Sequence, residues 1–182
     1  TPNTTSRTIS FGVNDGTASS SAATKTVTVA AANDAPVAVA DSITVAEGGT
    51  ATTLANSATS VLANDTDAEG STLTATLVTG PAHGTLTLSA NGTFIYTHDG
   101  SETTTDSFSY KPHDGTVDGN TVSVAITVTP VNDAPTITGL PGAPQAVTAG
   151  VAAALADFAV SDADGAGVPL HVTLAATNGT LN

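Results

Sequence analysis

The chain has 182 residues, three of them basic against 16 acidic, and a formal net charge of −13. That balance excludes nucleic acid and anionic membrane surfaces as partners, because nothing is present to neutralise phosphates, and it favours divalent cations as counter-ions. Cys, Met and Trp are absent, so no disulfide staples the fold and core volume must come from Val, Leu, Ile and Ala around four Phe and two Tyr. No stretch has the apolar length of a membrane span, and the first residues lack the basic and apolar regions of a signal peptide.

In chain order, "TVTVA" (26–30) alternates apolar residues with Thr and leads into Asn33-Asp34-Ala35-Pro36. Strands are expected next at 37–46, 51–63, 71–79, 84–89, 93–98, 106–113 and 120–130. Within these, "TLTATLV", "GTLTLS", "GTFIYTH", "DSFSYKP" and "TVSVAITVT" repeat apolar residues at period two. Asn91-Gly92 predicts a type I′ hairpin turn. No segment carries a helical apolar stripe. Short strands at this spacing, with turn signals every ~8 to 12 residues, predict an all-β chain of tandem antiparallel β-sandwich domains. The expected topology is an immunoglobulin- or cadherin-like Greek key, built without the Cys and Trp of true immunoglobulin cores.

The chain also repeats itself. At an offset of 99, Asn33-Asp34-Ala35-Pro36 falls on Asn132-Asp133-Ala134-Pro135, Asp15-Gly16-Thr17 on Asp114-Gly115-Thr116, and Phe11 on Tyr110. "VLANDTDAEGSTLTATLV" (61–78) reappears as "FAVSDADGAGVPLHVTLA" (158–175) at an offset of 97, and "HGTLTL" (83–88) as "NGTLN" (178–182) at 95. Such a period exceeds any solenoid unit and matches an independent domain. Residues 1–35 are therefore the end of one repeat, 36–135 a complete repeat and 136–182 the start of the next.

Strand parity gathers the acids at the two poles of the complete repeat, since successive strands reverse direction. The upper pole collects Asn33 and Asp34 from the linker, Asp65, Asp67 and Glu69 from the 64–70 loop, and Asp114 from the last turn. The lower pole collects Glu47 with Asp99 or Glu102; Asn132 and Asp133 follow in the next linker, and Asp162 and Asp164 in the next repeat. Carboxylates ~4 Å apart repel by about 1 to 4 kcal/mol per pair, and a hard cation reverses that sign. Calcium takes six to eight oxygens of the kind that Asp, Glu, Asn and backbone carbonyls supply.

These motifs carry a resemblance. Asn-Asp before Ala-Pro, "DTDAEG" and "SDADG", and Asp-Gly after the 106–113 strand resemble the calcium motifs of cadherin repeats, in the same order along the chain. Taken together, "GTFIYTH", "TTDSFSYKPHDGT", "VAITVTPVNDAP" and "VLANDTDAEG" resemble bacterial cadherin-like tandem repeats, about 95 to 100 residues each, of large secreted or surface adhesins. The resemblance covers the whole chain. It implies a non-catalytic extracellular or cell-surface stalk or adhesion module with calcium at its junctions, whose partners are neighbouring repeats and cell-surface glycans or proteins. Three features depart from the family pattern. The acidic linker is shortened to Asn-Asp, the acids Asp99, Glu102 and Asp106 lack the Asp-Arg-Glu order, and the third repeat has Ala166 or Gly167 where Glu69 is expected.

Other chemistries find no support in the spacing. An EF-hand reading of Asp65 onward needs a bidentate Glu at position 76, which is Thr. His83, His98, His113 and His171 stand singly, without zinc spacing, and no Gly-x-Ser-x-Gly elbow exists. Threonine ladders such as Thr72, Thr74 and Thr76 read as β-propensity on a solvated face. A carbohydrate-binding module and a filament subunit completed head-to-tail are the alternative readings of function.

Overall fold

A computed structural model of the chain describes residues 3–140, 142, 145–146, 148, 151, 154, 156–165 and 169–173. The described residues are strands, turns and irregular segments, without helix. The chain divides into two units, Thr1–Thr129 and Pro130–Asn182.

In the first unit, β1 (Arg7–Phe11) and β2 (Ala23–Val27) form an antiparallel hairpin. Then come β3 (Asp41–Ala46), β4 (Thr50–Ala51), β5 (Thr74–Thr79), β6 (Gly84–Leu88), β7 (Phe94–His98), β8 (Thr105–His113) and β9 (Val122–Thr129). They build two sheets, ordered β3-β9-β8-β5 and β4-β7-β6. All pairings are antiparallel except β3 with β9, where Asp41 lies beside Val124 and Ala46 beside Thr129. That parallel pair follows from the parity of the chain, because the first and last of seven alternating strands run the same way. In the second unit, β10 (Thr136–Thr138) pairs antiparallel with β11 (Ala159–Ser161).

The core lies between the two sheets. Ile43 and Val45 of β3, Phe94 and Tyr96 of β7, Phe108 and Tyr110 of β8, and Val124, Ile126 and Val128 of β9 are buried at alternating positions. Phe94 and Phe108 meet with ring centroids 6.4 Å apart and planes tilted by 50°, an arrangement worth about 1 kcal/mol beyond area burial. The repeat extends to register: Arg7 opposite Val27 and Phe11 opposite Ala23 recur, 99 residues on, as Asp106 opposite Ile126 and Tyr110 opposite Val122. On the β1–β2 hairpin, no second sheet among the described residues covers the equivalent face, and Ile9 and Phe11 are exposed where Phe108 and Tyr110 are buried.

Three expectations are corrected. The strand expected at 51–63 shrinks to the two residues of β4. Beyond it, "TTLANSATSVLAND" loses period two, and Ser and Asn form turns closed by Ser57 N on Leu54 O and Ala63 N on Ser60 O. Leu54 and Val61 still reach the core from this irregular segment. The Asn91-Gly92 turn is not type I′, because only Gly92 has positive φ (81°). Gly92 N donates to Ser89 O and Ser89 N to Thr93 O, so a three-residue loop ends on a left-handed glycine. Finally, the strand expected at 37–46 becomes β3 from Asp41. Residues 36–39 are instead held by Pro36, which is fully buried, by the Val37–Thr66 bridge and by Asn120, whose amide both donates to and accepts from Ala38.

Candidate metal centre

At the upper pole, residues far apart in sequence meet. Asn33 Nδ2 donates to Asp114 Oδ2 at 2.8 Å, and the backbone amide of Asp34 donates to Glu69 Oε2 at 3.0 Å. The loop between β4 and β5 makes this geometry through Asp67, whose Oδ1 accepts from the amides of Glu69 (3.1 Å) and Ser71 (2.8 Å). The remaining oxygens, Asp67 Oδ2 and Glu69 Oε1, are fully buried and have no hydrogen-bond partner. Asp114 caps its own turn, accepting on Oδ1 from Thr116 and Val117. The Val117 amide first, and Asn33 after it, hold its carboxyl below the usual range.

Asp65 is set apart from these. It turns inward, accepting on Oδ1 from Val39 N at 2.9 Å and contacting the Tyr110 hydroxyl with both oxygens, at 3.2 and 3.0 Å. Burial, opposed by those two hydrogen bonds, leaves its pKa raised. Its role in the structure is to anchor the start of β3 to the loop, so Asp67 and Glu69 carry the loop's buried, unpartnered carboxylate oxygens, beside which Asn64 leaves its amide Oδ1 unpartnered as well.

Behind Asp65 lies a residue that motif spacing did not single out. Asp41 opens β3, accepts from Asn64 Nδ2 at 3.0 Å and lies 3.5 Å from the Tyr110 hydroxyl. Burial, then the neighbouring Asp65 charge, push its pKa up to about 6. A lone Asp after Ala40 carries no motif, and only the parallel pairing of β3 brings it against the 64–70 loop. Tyr110 itself donates most closely to Val61 O, at 2.6 Å. Asp106 was also left out of the expected ligand set, and it is structural: it accepts from Ala82, His83, Ser107 and the Tyr96 hydroxyl. Burial pushes its carboxyl up, but the backbone amides outweigh that and leave it lowered.

At the lower pole of the same unit, Glu47 and Glu102 offer carboxylate oxygens within 4.8 Å of each other. Glu47 is fixed by its amide on Thr129 O (2.9 Å), which puts it beside the end of β9. Asp99 is not part of that pair. Its Oδ1 accepts from the Ser101 amide, and hydrogen bonds from Ser101 keep its carboxyl low.

In the second unit the pattern of the upper pole returns with shorter arms. Asn132 Nδ2 donates to Asp133 O, as Asn33 does to Asp34 O. Asp162 Oδ1 accepts from Asp164 N at 3.1 Å, as Asp67 does from Glu69. The Asp133 amide donates to Asp164 Oδ2, as Asp34 does to Glu69. Thr136 pairs with Ser161 where Val37 pairs with Thr66. The structural offset is therefore 95, not 97, and Asp164 stands where Glu69 does. This corrects the expectation that the third repeat lacks a Glu69 counterpart at Ala166 or Gly167; those two residues, and the "NGTLN" stretch, lie outside the described residues.

An all-β chain with a two-sheet core and acidic loops gathered at the ends of the sandwich defines a cadherin-like class of domain. The chain belongs to the bacterial cadherin-like domain family, whose family model matches residues 33–130. No curated protein matches it. Among solved structures it is similar to the endo-fucoidan hydrolase MfFcnA4 from glycoside hydrolase family 107, with 21% identity, a TM-score of 0.35, and coverage of 69% of this chain and 19% of that one. A second, the endo-fucoidan hydrolase MfFcnA9, gives 17% identity, a TM-score of 0.33, and coverage of 69% and 22%. The chain spans about a fifth of the length of these enzymes, and likenesses at this level carry no argument about activity. Domains of the family are usually extracellular or at the cell surface. No helix among the described residues is long and apolar enough to cross a membrane.

Proposed function

We propose that the chain is part of a non-catalytic extracellular stalk, in which calcium binds at the poles of each β-sandwich and stiffens the seams between them. The supporting observation is the pair of buried, unpartnered oxygens Asp67 Oδ2 and Glu69 Oε1. An unsatisfied buried carboxylate oxygen costs several kcal/mol by desolvation unless a proton or a cation meets it. Hard anionic oxygens suit calcium better than zinc, which prefers nitrogen and sulfur.

Asp67 and Glu69 are the ligands proposed at the upper pole. Asn33, Asp34 and Asp114 complete its polar surroundings, and Asp65 anchors the loop from within. At the lower pole the proposed ligands are Glu47 and Glu102. Asn132 and Asp133 stand to the second unit as Asn33 and Asp34 stand to the first. Asp162 and Asp164 serve the following repeat as Asp67 and Glu69 serve this one. The bound cation supplies the positive charge that this chain lacks. Without it the acidic poles repel and the linkers flex; with it, linker and loops share one counter-charge and neighbouring repeats are the partner.

A carbohydrate-binding role would use exposed rings for stacking. Phe94, Tyr96, Phe108 and Tyr110 are all turned into the core and Phe11 alone of the rings in the first unit is exposed, too few for a stacking platform, which favours the stalk. Small-angle scattering in calcium and in chelator tests the proposal. The stalk reading expects the maximum dimension to rise and the distance distribution to sharpen when calcium is added. Superimposable curves in the two conditions would leave a passive spacer.

A further inference from the structure

His98 is the one buried polar residue among the described residues, with its side chain fully enclosed. Its Nδ1 accepts from two backbone amides, Gly48 N at 3.3 Å and Gly100 N at 3.2 Å. Two donors on one nitrogen require a lone pair there, so the ring is the Nε2–H tautomer and donates to Thr103 Oγ1 at 3.0 Å. Thr103 Oγ1 is in turn 3.0 Å from Ser101 Oγ. The His98 amide donates to Gly49 O at 3.0 Å. One residue therefore ties the turn after β3 to the loop after β7.

Both amides come from glycines in the left-handed region, Gly48 with φ 62° and Gly100 with φ 80°. A Cβ built on Gly48 would lie 4.0 Å from Gly100 Cα, so the two loops abut. Each loop bears an acid of the lower pole next to an anchored residue: Glu47 precedes Gly48, and Glu102 precedes Thr103.

We infer that His98 is the positioning residue of the lower cation site, holding the Glu47 and Glu102 carboxylates within 4.8 Å of each other through Gly48, Gly100 and Thr103. This rests on the proposal that calcium binds at that pole. The ring touches no cation. It sets the two loops, as outer-shell partners set metal ligands, and such partners typically change affinity ~10- to 100-fold.

The test uses the full chain carrying Asp67→Asn, Glu69→Gln, Asp162→Asn and Asp164→Asn, which leaves the lower acids as the calcium ligands, and reads calcium affinity by titration calorimetry. His98→Asn keeps an acceptor at the Nδ1 position and is expected to bind within about twofold of that parent. His98→Leu removes the acceptor, and its affinity falls about tenfold. Thr103→Val, which leaves the ring and its glycine contacts in place, weakens binding in the same direction by less; it serves should His98→Leu fail to fold. Melting in chelator reports folding separately, so rescue of affinity by Asn and not by Leu marks positioning and not mere stability. Equal affinity in the parent, His98→Leu and Thr103→Val overturns the inference and leaves the lower site standing. A parent that takes up no calcium removes the lower site and the inference together.

Discussion

The amide of Asp34 donates to the carboxylate of Glu69 at 3.0 Å, across 35 residues of sequence. The linker is thereby tied to the loop between β4 and β5, and Asn33 repeats the tie to Asp114. Asn-Asp thus belongs to the repeat that follows it. Removing the charges it surrounds should have opposite effects with and without calcium. Asp67→Asn with Glu69→Gln lifts a buried electrostatic cost, so melting in chelator is expected to be unchanged or higher. In calcium the variant should lose the stabilisation that wild type gains, about 2.7 kcal/mol at a hundred times the Kd. For a domain of this size that is roughly 10 to 20 °C. Melting curves of both proteins in both conditions check it.

In chelator, the pH dependence carries the sign of Asp41. Its folded pKa of about 6 lies above the 3.8 of the free group, so the folded state holds that proton more tightly. The stability this contributes is complete below pH 3.8 and disappears as pH rises through 6; Asp65 acts in the same direction. Asp15, Asp99, Asp106, Asp114 and Asp118 are lowered and act oppositely, losing their contribution only as pH falls below the usual carboxylate range. Without calcium the melting temperature is expected to rise from pH 7 to about 5 and fall again below 4. Asp41→Asn should flatten the rise. A rise of the same size in that variant would assign it to the net charge instead.

Tyr110→Phe removes one proton from a crowd of oxygens. Val61 O and both Asp65 oxygens then lose their shared donor inside the protein. Leaving buried acceptors unsatisfied costs about 1 to 3 kcal/mol, and denaturant unfolding should show that loss with an unchanged m-value. Ring packing is retained, so near-native circular dichroism is expected.

Gly92 and Gly100 separate conformational strain from space. Both have φ near 80°. A Cβ on Gly92 would come within 2.3 Å of Ser60 Oγ and 2.9 Å of Leu62 Cγ, whereas one on Gly100 meets nothing within 4 Å. Gly100→Ala should therefore cost only the left-handed backbone, about 1 kcal/mol. Gly92→Ala should cost clearly more, as read by the shift in unfolding midpoint.

The fold was legible where pattern and structure share a period. Alternation in "GTFIYTH" and "TVSVAITVT" locates β7 and β9 to within two residues, because every second residue is buried: Phe94, Tyr96 and His98 on β7, and Val124, Ile126 and Val128 on β9. Strand parity likewise leads to the two acidic poles. The 51–63 segment was misread because Leu54 and Val61 reach the core from turns, where burial does not follow period two. Asp41 and His98 were not singled out as partners of the poles because each acts through contacts with residues tens of positions away. Asp65 looked equal to Asp67 in the motif. Only the Tyr110 hydroxyl and the Val39 amide show that it faces inward.

The central claim is that the poles hold calcium, and the most direct measurement is calorimetric titration of calcium into the chelator-treated full chain, repeated on Asp67→Asn with Glu69→Gln. The account predicts saturable binding by the wild type and fewer sites in the variant. No heat of binding in the wild type, or equal stoichiometry and affinity in both proteins, would contradict it.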